Sequence, residues 1–375
     1  MTPSLDIFLT ALPGLEPQLQ AEARALGFDG AAVTPGGVAL GGDWEAVMRA
    51  NLHLRTASRV LVRLAAFRAL HLAQLDKRAR RVDWAALLRP DVPVRIDASC
   101  RKSRIYHAGA AAQRVGDAIT AATGAPVQSG EGQAGAALRV LVRIEDDLCT
   151  LSLDTSGAPL HRRGHKRAIG KAPLRETMAA AFLRACGYDG REPVLDPMCG
   201  SGSFVIEAAE IAAGLAPGRS RRFAFEALAG VDRARWAALR AALPPAAPPA
   251  QRFYGADRDA GVTRQAQANA EAAGVAAWAR FTTAPVSALA RPEGPPGLVM
   301  VNPPYGARIG KRHMLHAVYG ALGRVLAERF AGWRVGLVSS DAGLAASTAL
   351  PFGAPGPWVP HGPLKVRLWQ TGPLR

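Results

Sequence analysis

Cysteine is sparse in this chain and scattered. Cys100, Cys149, Cys186 and Cys199 form no CxxC pair, so neither a disulfide framework nor a zinc site is expected. No apolar run approaches the roughly 20 residues needed to cross a bilayer, and no membrane partner is expected. The N-terminus carries Asp6 early and lacks the basic segment and apolar core of a secretory leader, which makes the cytoplasm the expected compartment. Acidic residues are also short, 30 against 46 Lys and Arg, leaving a net charge of +16. A surplus of that sign draws polyanions and points first to nucleic acid. A genome biased toward arginine explains the choice of Arg over Lys but not the scarcity of acids. What is present is ordinary for folded protein: 49% hydrophobic and 20% charged residues over 375 positions, enough for two or three domains.

The first part of the chain mixes strands and helices. Leu5–Leu9 reads as a strand, and Leu15, Leu19, Ala23 and Leu26 recur at helical spacing until Gly27. Val38–Leu40 follows Gly36-Gly37 as a hairpin partner, and a second helix begins near Asp43. Val60–Leu64 and Val92–Ile96 are strand candidates, and Ala108–Thr123 is a helix. Leu138–Ile144 alternates apolar and basic residues, as a half-buried strand does, with Cys149–Leu153 its partner across an Asp146-Asp147 turn. Mixed elements of this kind describe a small α+β domain, or two, through about residue 155, and the divisions expected are 1–65, 66–157 and an α/β domain over 158–375.

Arginine thickens through the first part. Arg49, Arg55, Arg59, Arg63 and Arg68 are followed by Lys77, Arg78, Arg80 and Arg81, then by Arg101, Lys102 and Arg104. Any one of these suits a solvated face; as a set they suit phosphate contacts. His161–Arg167 is the densest basic run, either plain solvated chain or an RNA-facing bridge.

From about residue 170 strands and helices alternate. Pro193–Asp196, Arg252–Asp257, Leu298–Asn302 and Arg334–Ser339 read as strands of a doubly wound, Rossmann-like parallel sheet. Ligands of such sheets sit beyond the carboxyl ends of the strands, where Asp196, Asp257 and Asn302 fall. Asp196-Pro-Met198-Cys-Gly200-Ser-Gly202-Ser-Phe204 is a glycine loop opening a helix. Gly200 and Gly202 let the backbone turn and approach a cofactor closely. No third glycine completes a GxGxxG dinucleotide fingerprint, so NAD is the weaker reading. The loop is closer to the DPxCGSGxxxIEA form of amino-group methyltransferases. Asp257 is placed to hold ribose hydroxyls or, alternatively, to cap the next helix. Cys199 reads as packing.

Asn302-Pro303-Pro304-Tyr305 carries the specificity. An aromatic amine is a poor nucleophile because its lone pair is delocalised into the ring. The Asn302 side-chain oxygen and the Pro303 carbonyl can accept its two hydrogens and leave density on nitrogen. The prolines pre-position both acceptors, and Tyr305 offers a stacking face. The plainer alternative is an Asn-Pro turn after a strand. Glycine loop and Asn-Pro-Pro-Tyr together point to an S-adenosylmethionine-dependent N-methyltransferase.

With those residues assembled, the chain resembles the bacterial THUMP-domain 23S ribosomal RNA guanine-N2 methyltransferases. The likeness runs through ALPGLEPQLQAEARALGF, GGVAL, RANLHLRTASRVLV, KSRIYHAGAAAQRVGDAI, SLDTSGAPLHRRGHKRAIGKAPLRETMAAA, LDPMCGSGSFVIEAA and NPPYG. It implies methyl transfer from S-adenosyl-L-methionine to guanine N2, RNA as partner (23S ribosomal RNA, or transfer RNA), no metal, and a monomer as the favoured state. By the same resemblance Pro173, Leu174, Asp196, Met198, Gly200, Gly202 and Asp257 face the cofactor, and Asn302, Pro303 and Tyr305 act on the substrate. One departure stands out. The family usually has an acid after the third strand to hold the adenine amine, and here Phe281–Ser287 has none, with Pro285 at that place. The competing readings are a transfer-RNA guanine-N2 methyltransferase, a methylase of DNA adenine or protein glutamine, and a non-catalytic RNA-binding or ribosome-assembly protein.

Overall fold

The computed structural model describes residues 4–128, 137–165, 174–305 and 312–375. Packing divides the chain into two units, each built on its own sheet. Unit 1 comprises Met1–Ala11, Gln20–Leu160 and Arg221–Leu243; unit 2 comprises Leu12–Leu19, His161–Ser220 and Pro244–Arg375.

The chain opens with β1 (Leu5–Thr10), α1 (Glu16–Ala25, counted with unit 2 through Leu19 and with unit 1 from Gln20), β2 (Ala32–Thr34), β3 (Gly37–Gly42), α2 (Trp44–His53) and β4 (Arg59–Arg68). That βαββαβ order, with neighbours β2-β3-β1-β4, is a ferredoxin-like sheet. Asp43 caps α2 by accepting from Ala46 N at 2.8 Å. The chain continues through α3 (Leu72–Ala79), β5 (Val94–Arg101), α4 (Ala108–Thr123), β6 (Val127–Gln128), β7 (Leu138–Glu145) and β8 (Leu148–Asp154). β4 pairs with β8, so one eight-stranded sheet runs through the whole unit, and β4 itself crosses position 65–66. β7 alternates buried and less buried residues, which is why its period was legible. Asp146 and Asp147, both with positive φ (50° and 62°), make the turn into β8.

Most of the arginines expected to hold phosphate in this unit have internal partners. Arg59 ion-pairs with Asp154, which is fully buried. Arg63 lies over the Phe8 ring at 4.0 Å, Arg49 donates to Leu26 O at 2.7 Å, and Arg80 pairs with Asp76 at 2.9 Å. The phosphate reading of the whole set is therefore too broad. These side chains tie strand to strand and helix to loop.

Unit 2 begins its sheet after α5 (Glu176–Ala185) with β9 (Val194–Asp196) and α6 (Ser203–Ala212). The chain then gives Arg221–Leu243 to unit 1. There Arg221 donates to Pro159 O at 2.9 Å, Phe225 N to Thr155 O at 3.0 Å, and α7 (Arg233–Ala241) bonds through Arg235 to Glu45 at 2.7 Å. Pro244 is the point of return to unit 2. β10 (Phe253–Asp257), α8 (Ala260–Ala273), β11 (Ala279–Thr283), β12 (Leu298–Val301), α9 (Arg312–Arg329), β13 (Arg334–Ser339), α10 (Ala342–Ala346), β14 (Val359–His361) and β15 (Leu364–Gln370) follow. The strand order is β11-β10-β9-β12-β13-β15-β14, parallel from β11 to β13, with β15 antiparallel to β13. β9 and β12 are buried along their length, β12 wholly apolar and β9 apolar until Asp196, and the order reverses between them.

Candidate active site

Three adjacent parallel strands end on polar residues: β10 on Asp257, β9 on Asp196, and β12 just before Asn302. The register places Gly255 opposite Asp196, so the first two carboxylates stand at neighbouring strand ends. This is the crevice at the reversal of strand order where doubly wound sheets bind ligands.

The glycine loop is braced from three sides. Cys199 N donates to Ala256 O at 2.9 Å, Gly200 N to Asp257 Oδ2 at 3.2 Å, and Asn269 Nδ2 to Ser201 O at 3.1 Å. Gly200 (φ 52°) and Gly202 (φ 85°) are in the left-handed region, where a side chain is strained. A Cβ at Gly200 would meet only open space, whereas one at Gly202 would press on Ile206 and Phe281 at 3.2 Å. Asp196 is 3% exposed and accepts only Met198 N, at 3.0 Å, among the described residues. Burial, with the Asp257 charge adding to it, pushes its carboxyl up to about 8.

Asp257 is not the cap of α8, the alternative its sequence position left open. Asp259 fills that place, accepting from Gly261 N at 2.7 Å and Val262 N at 3.2 Å. Asp257 instead accepts from Asp259 N at 3.0 Å and from the glycine loop. Met198 is half-buried, and Leu174 lies in the core with its carbonyl held by Ser203 Oγ at 3.1 Å. Pro173 lies outside the described residues.

The Oδ1 of Asn302 is buried and has no hydrogen-bond partner among the described residues. Pro303 is buried, and Tyr305 is half-buried with its hydroxyl held protonated by burial. His361, at the end of β14, meets the Tyr305 ring edge-on with centroids 6.4 Å apart. Burial, reinforced by the Arg175 charge, lowers the His361 pKa. Neither His361 nor Asn269 carried a sequence signal, because each acts through a contact distant in sequence. Cys199 is 5% exposed with its thiol held well above the usual range by burial, consistent with packing rather than nucleophilic work.

Two residues of the basic run at 161–167 have a role that the sequence did not suggest. Arg163, 2% exposed, pairs with Glu207 at 3.1 Å, and His165, 8% exposed, lies 3.3 Å from Glu210, which Arg219 also binds at 2.6 Å. These residues anchor to α6 instead of facing solvent or RNA. Lys166 and Arg167 lie outside the described residues. No helix among the described residues is long and apolar enough to cross a membrane.

A parallel sheet with a glycine loop after its first strand and Asn-Pro-Pro-Tyr after its fourth defines a methyltransferase. Residues 163–349 match the family described as "RMKL-like, methyltransferase domain", and residues 6–61 match an RlmL ferredoxin-like domain. A protein of Listeria monocytogenes, described as a predicted N6-adenine-specific DNA methylase, is 30% identical, with 99% of this chain and 97% of that chain covered and a TM-score of 0.85. SMU.472, solved with SAH bound, is 26% identical with all of both chains covered and a TM-score of 0.85. TrmN of Thermus thermophilus is 25% identical, covers 99% of this chain and 100% of that one, and has a TM-score of 0.77. The chain belongs to the RMKL-like methyltransferase family, in its RlmL-type form with a ferredoxin-like domain ahead of the methyltransferase domain, and its methyl donor is S-adenosylmethionine. The site fits that donor: open space over Gly200 and a carboxylate at the end of β10.

Proposed function

We propose that this methyltransferase acts on the exocyclic N2 of a guanine in 23S ribosomal RNA. The observation that carries the reading is the buried Asn302 Oδ1, without a hydrogen-bond partner among the described residues. A buried acceptor without a donor costs about 1–3 kcal/mol, and an amine N–H supplies the missing partner. Asn302 Oδ1 and the Pro303 carbonyl accept the two N2 hydrogens and turn the lone pair outward. Tyr305 stacks on the base, its ring held by His361. When bound, S-adenosylmethionine supplies a methyl group on a positively charged sulfur, open to attack by a nitrogen lone pair. Pro173, Leu174, Asp196, Met198, Gly200, Gly202 and Asp257 would hold it, with Asp257 toward the ribose hydroxyls. Recognition of adenine falls to backbone groups near Pro285 or to Ser287, because Phe281–Ser287 contains no acid. No strong base is required, since the amine sheds its proton after methyl transfer.

The functional division follows the sequence: residues 1–65 and a THUMP module over 66–157 select the RNA, and 158–375 carry out the chemistry. The charge of +16 and the likeness to 23S ribosomal RNA methyltransferases support RNA as substrate. A ribosomal substrate also implies a cytoplasmic site of action. Reaching N2 in folded RNA requires the guanine to leave its stack, at a cost of a few kcal/mol. The test is tritiated S-adenosylmethionine with 23S ribosomal RNA, transfer RNA and adenine-containing DNA from cells lacking the gene. Label as N2-methylguanosine in 23S ribosomal RNA is expected. Label confined to transfer RNA, or to DNA as the Listeria protein's description suggests, would overturn the substrate assigned here. No label in any arm would favour the non-catalytic RNA-binding reading.

A further inference from the structure

Tyr106 is 85% exposed, the most exposed large hydrophobic side chain among the described residues. It sits on the short loop between β5 and α4, with Arg101, Lys102, Arg104 and His107 all exposed around it. Solvent alone gives no reason to present a tyrosine ring so fully, since its apolar faces gain by being covered.

The loop is braced. Ser103 Oγ donates to Arg101 O at 2.7 Å and accepts from Asp147 N at 3.1 Å, while Arg104 N donates to Asp147 Oδ1 at 2.8 Å. Lys102 is held at φ 47°, a left-handed conformation that a lysine adopts only when its surroundings impose it. His107 then fixes the start of α4 by accepting from Ala110 N at 3.0 Å. The ring is therefore carried on a prepared backbone, which limits the entropy lost when a ligand covers it.

The surrounding charges favour an anion. Arg68, Arg101, Lys102, Arg104 and Arg143 share this end of the sheet with Glu145, Asp146 and Asp147. Asp147 is engaged with the loop backbone, and Glu145 ion-pairs with Arg101 at 3.8 Å and with Arg143. An exposed ring amid surplus cations on a braced loop suits a base with its flanking phosphates better than a protein surface.

We propose that the 101–107 loop of unit 1 is a docking platform for unpaired RNA, with Tyr106 stacking on a base and Lys102 and Arg104 holding the adjacent phosphates. The proposal rests on the RNA-substrate reading and names the part of the RNA that this unit recognises: a single-stranded segment, not a helix. The experiment is fluorescence anisotropy on the full chain with a labelled single-stranded oligoribonucleotide and a blunt RNA duplex. Wild type, Tyr106→Ala, Tyr106→Phe and Arg104→Ala are compared. Tyr106→Ala is expected to weaken single-strand binding on the order of 10-fold and Tyr106→Phe to preserve it, because stacking needs the ring and not the hydroxyl. Arg104→Ala should weaken both RNAs and reduce the salt dependence of binding. Wild-type affinity for the single strand in Tyr106→Ala, or equal loss on the duplex, overturns the platform and leaves RNA methylation standing. Wild-type protein that binds neither RNA and labels none removes the RNA reading itself.

Discussion

The two units place their charged pairs differently. In unit 1 the arginines lie along or beside a sheet and pair with acids on neighbouring strands, as Arg59 does with Asp154 and Arg139 with Asp97. The cations left at the sheet's end are exposed. Unit 1 buries Asp154 but leaves its partner Arg59 partly exposed, whereas in unit 2 both Arg163 and Glu207 beside α6 are buried, as is the Asp196 carboxyl at a strand end. Buried charge is tolerated only where partners or a shifted pKa offset lost hydration, and exposed charge is screened and nearly free. Unit 1 can therefore carry a positive surface at little cost in stability, while unit 2 stores ionisable groups where a ligand could engage them.

That contrast can be broken at four points. Arg163→Ala leaves Glu207 buried without its guanidinium and should lower stability by about 3–5 kcal/mol, read from urea unfolding; a loss below about 1 kcal/mol would mean the pair is not buried in solution. Asn302→Ala should reduce kcat by about 100- to 1,000-fold with cofactor affinity unchanged, measured by single turnover and calorimetry. Near-normal turnover would end the acceptor role.

Asp196 gives a pH signature. Its carboxyl is held protonated up to about 8, so between pH 4 and 8 the native state keeps a proton that the unfolded chain has released. Stability should fall across that window as pH rises and level off above 8. In Asp196→Asn this part of the fall should vanish in thermal melts, and an unchanged slope would remove the assignment. The smallest effect is expected at Arg235→Ala, which breaks an exposed pair with Glu45. No resolvable change in melting temperature should follow.

The packing also changes how selection and chemistry can be separated. A cut at residue 155 removes Leu12–Leu19 from unit 2, including Leu15 of its core, and strands Arg221–Leu243 without its unit. Point substitutions on each unit are the cleaner way to divide the two activities.

Much of this was legible in the sequence, for physical reasons that differ by element. β7 announced itself by alternation because one of its faces is buried more deeply than the other, and β8 by the Asp146-Asp147 turn that joins it to β7. α4 matched its expected bounds because apolar spacing is local and Gly124 stops it in the left-handed region. β11 and α7 carried no clear period: one is short, and the other buries only Trp236. Asp257 could be read as ligand-facing or as a helix cap, and Asp259 two residues on, an equally good cap by type, took the second role.

By itself the sequence determined which residues could do chemistry: a glycine loop with an acid before it, an amide and ring after a buried strand, and a surplus of cations ahead of both. Those follow from residue type and short-range spacing. The tertiary structure decided which of them are committed elsewhere. It tied Arg59 and Arg163 into internal pairs, returned Arg221–Leu243 to unit 1, set His361 against Tyr305, left buried Asn302 Oδ1 without a partner among the described residues and left the Tyr106 ring exposed. Partners separated by tens of residues meet only through strand order and register, and no local pattern encodes those.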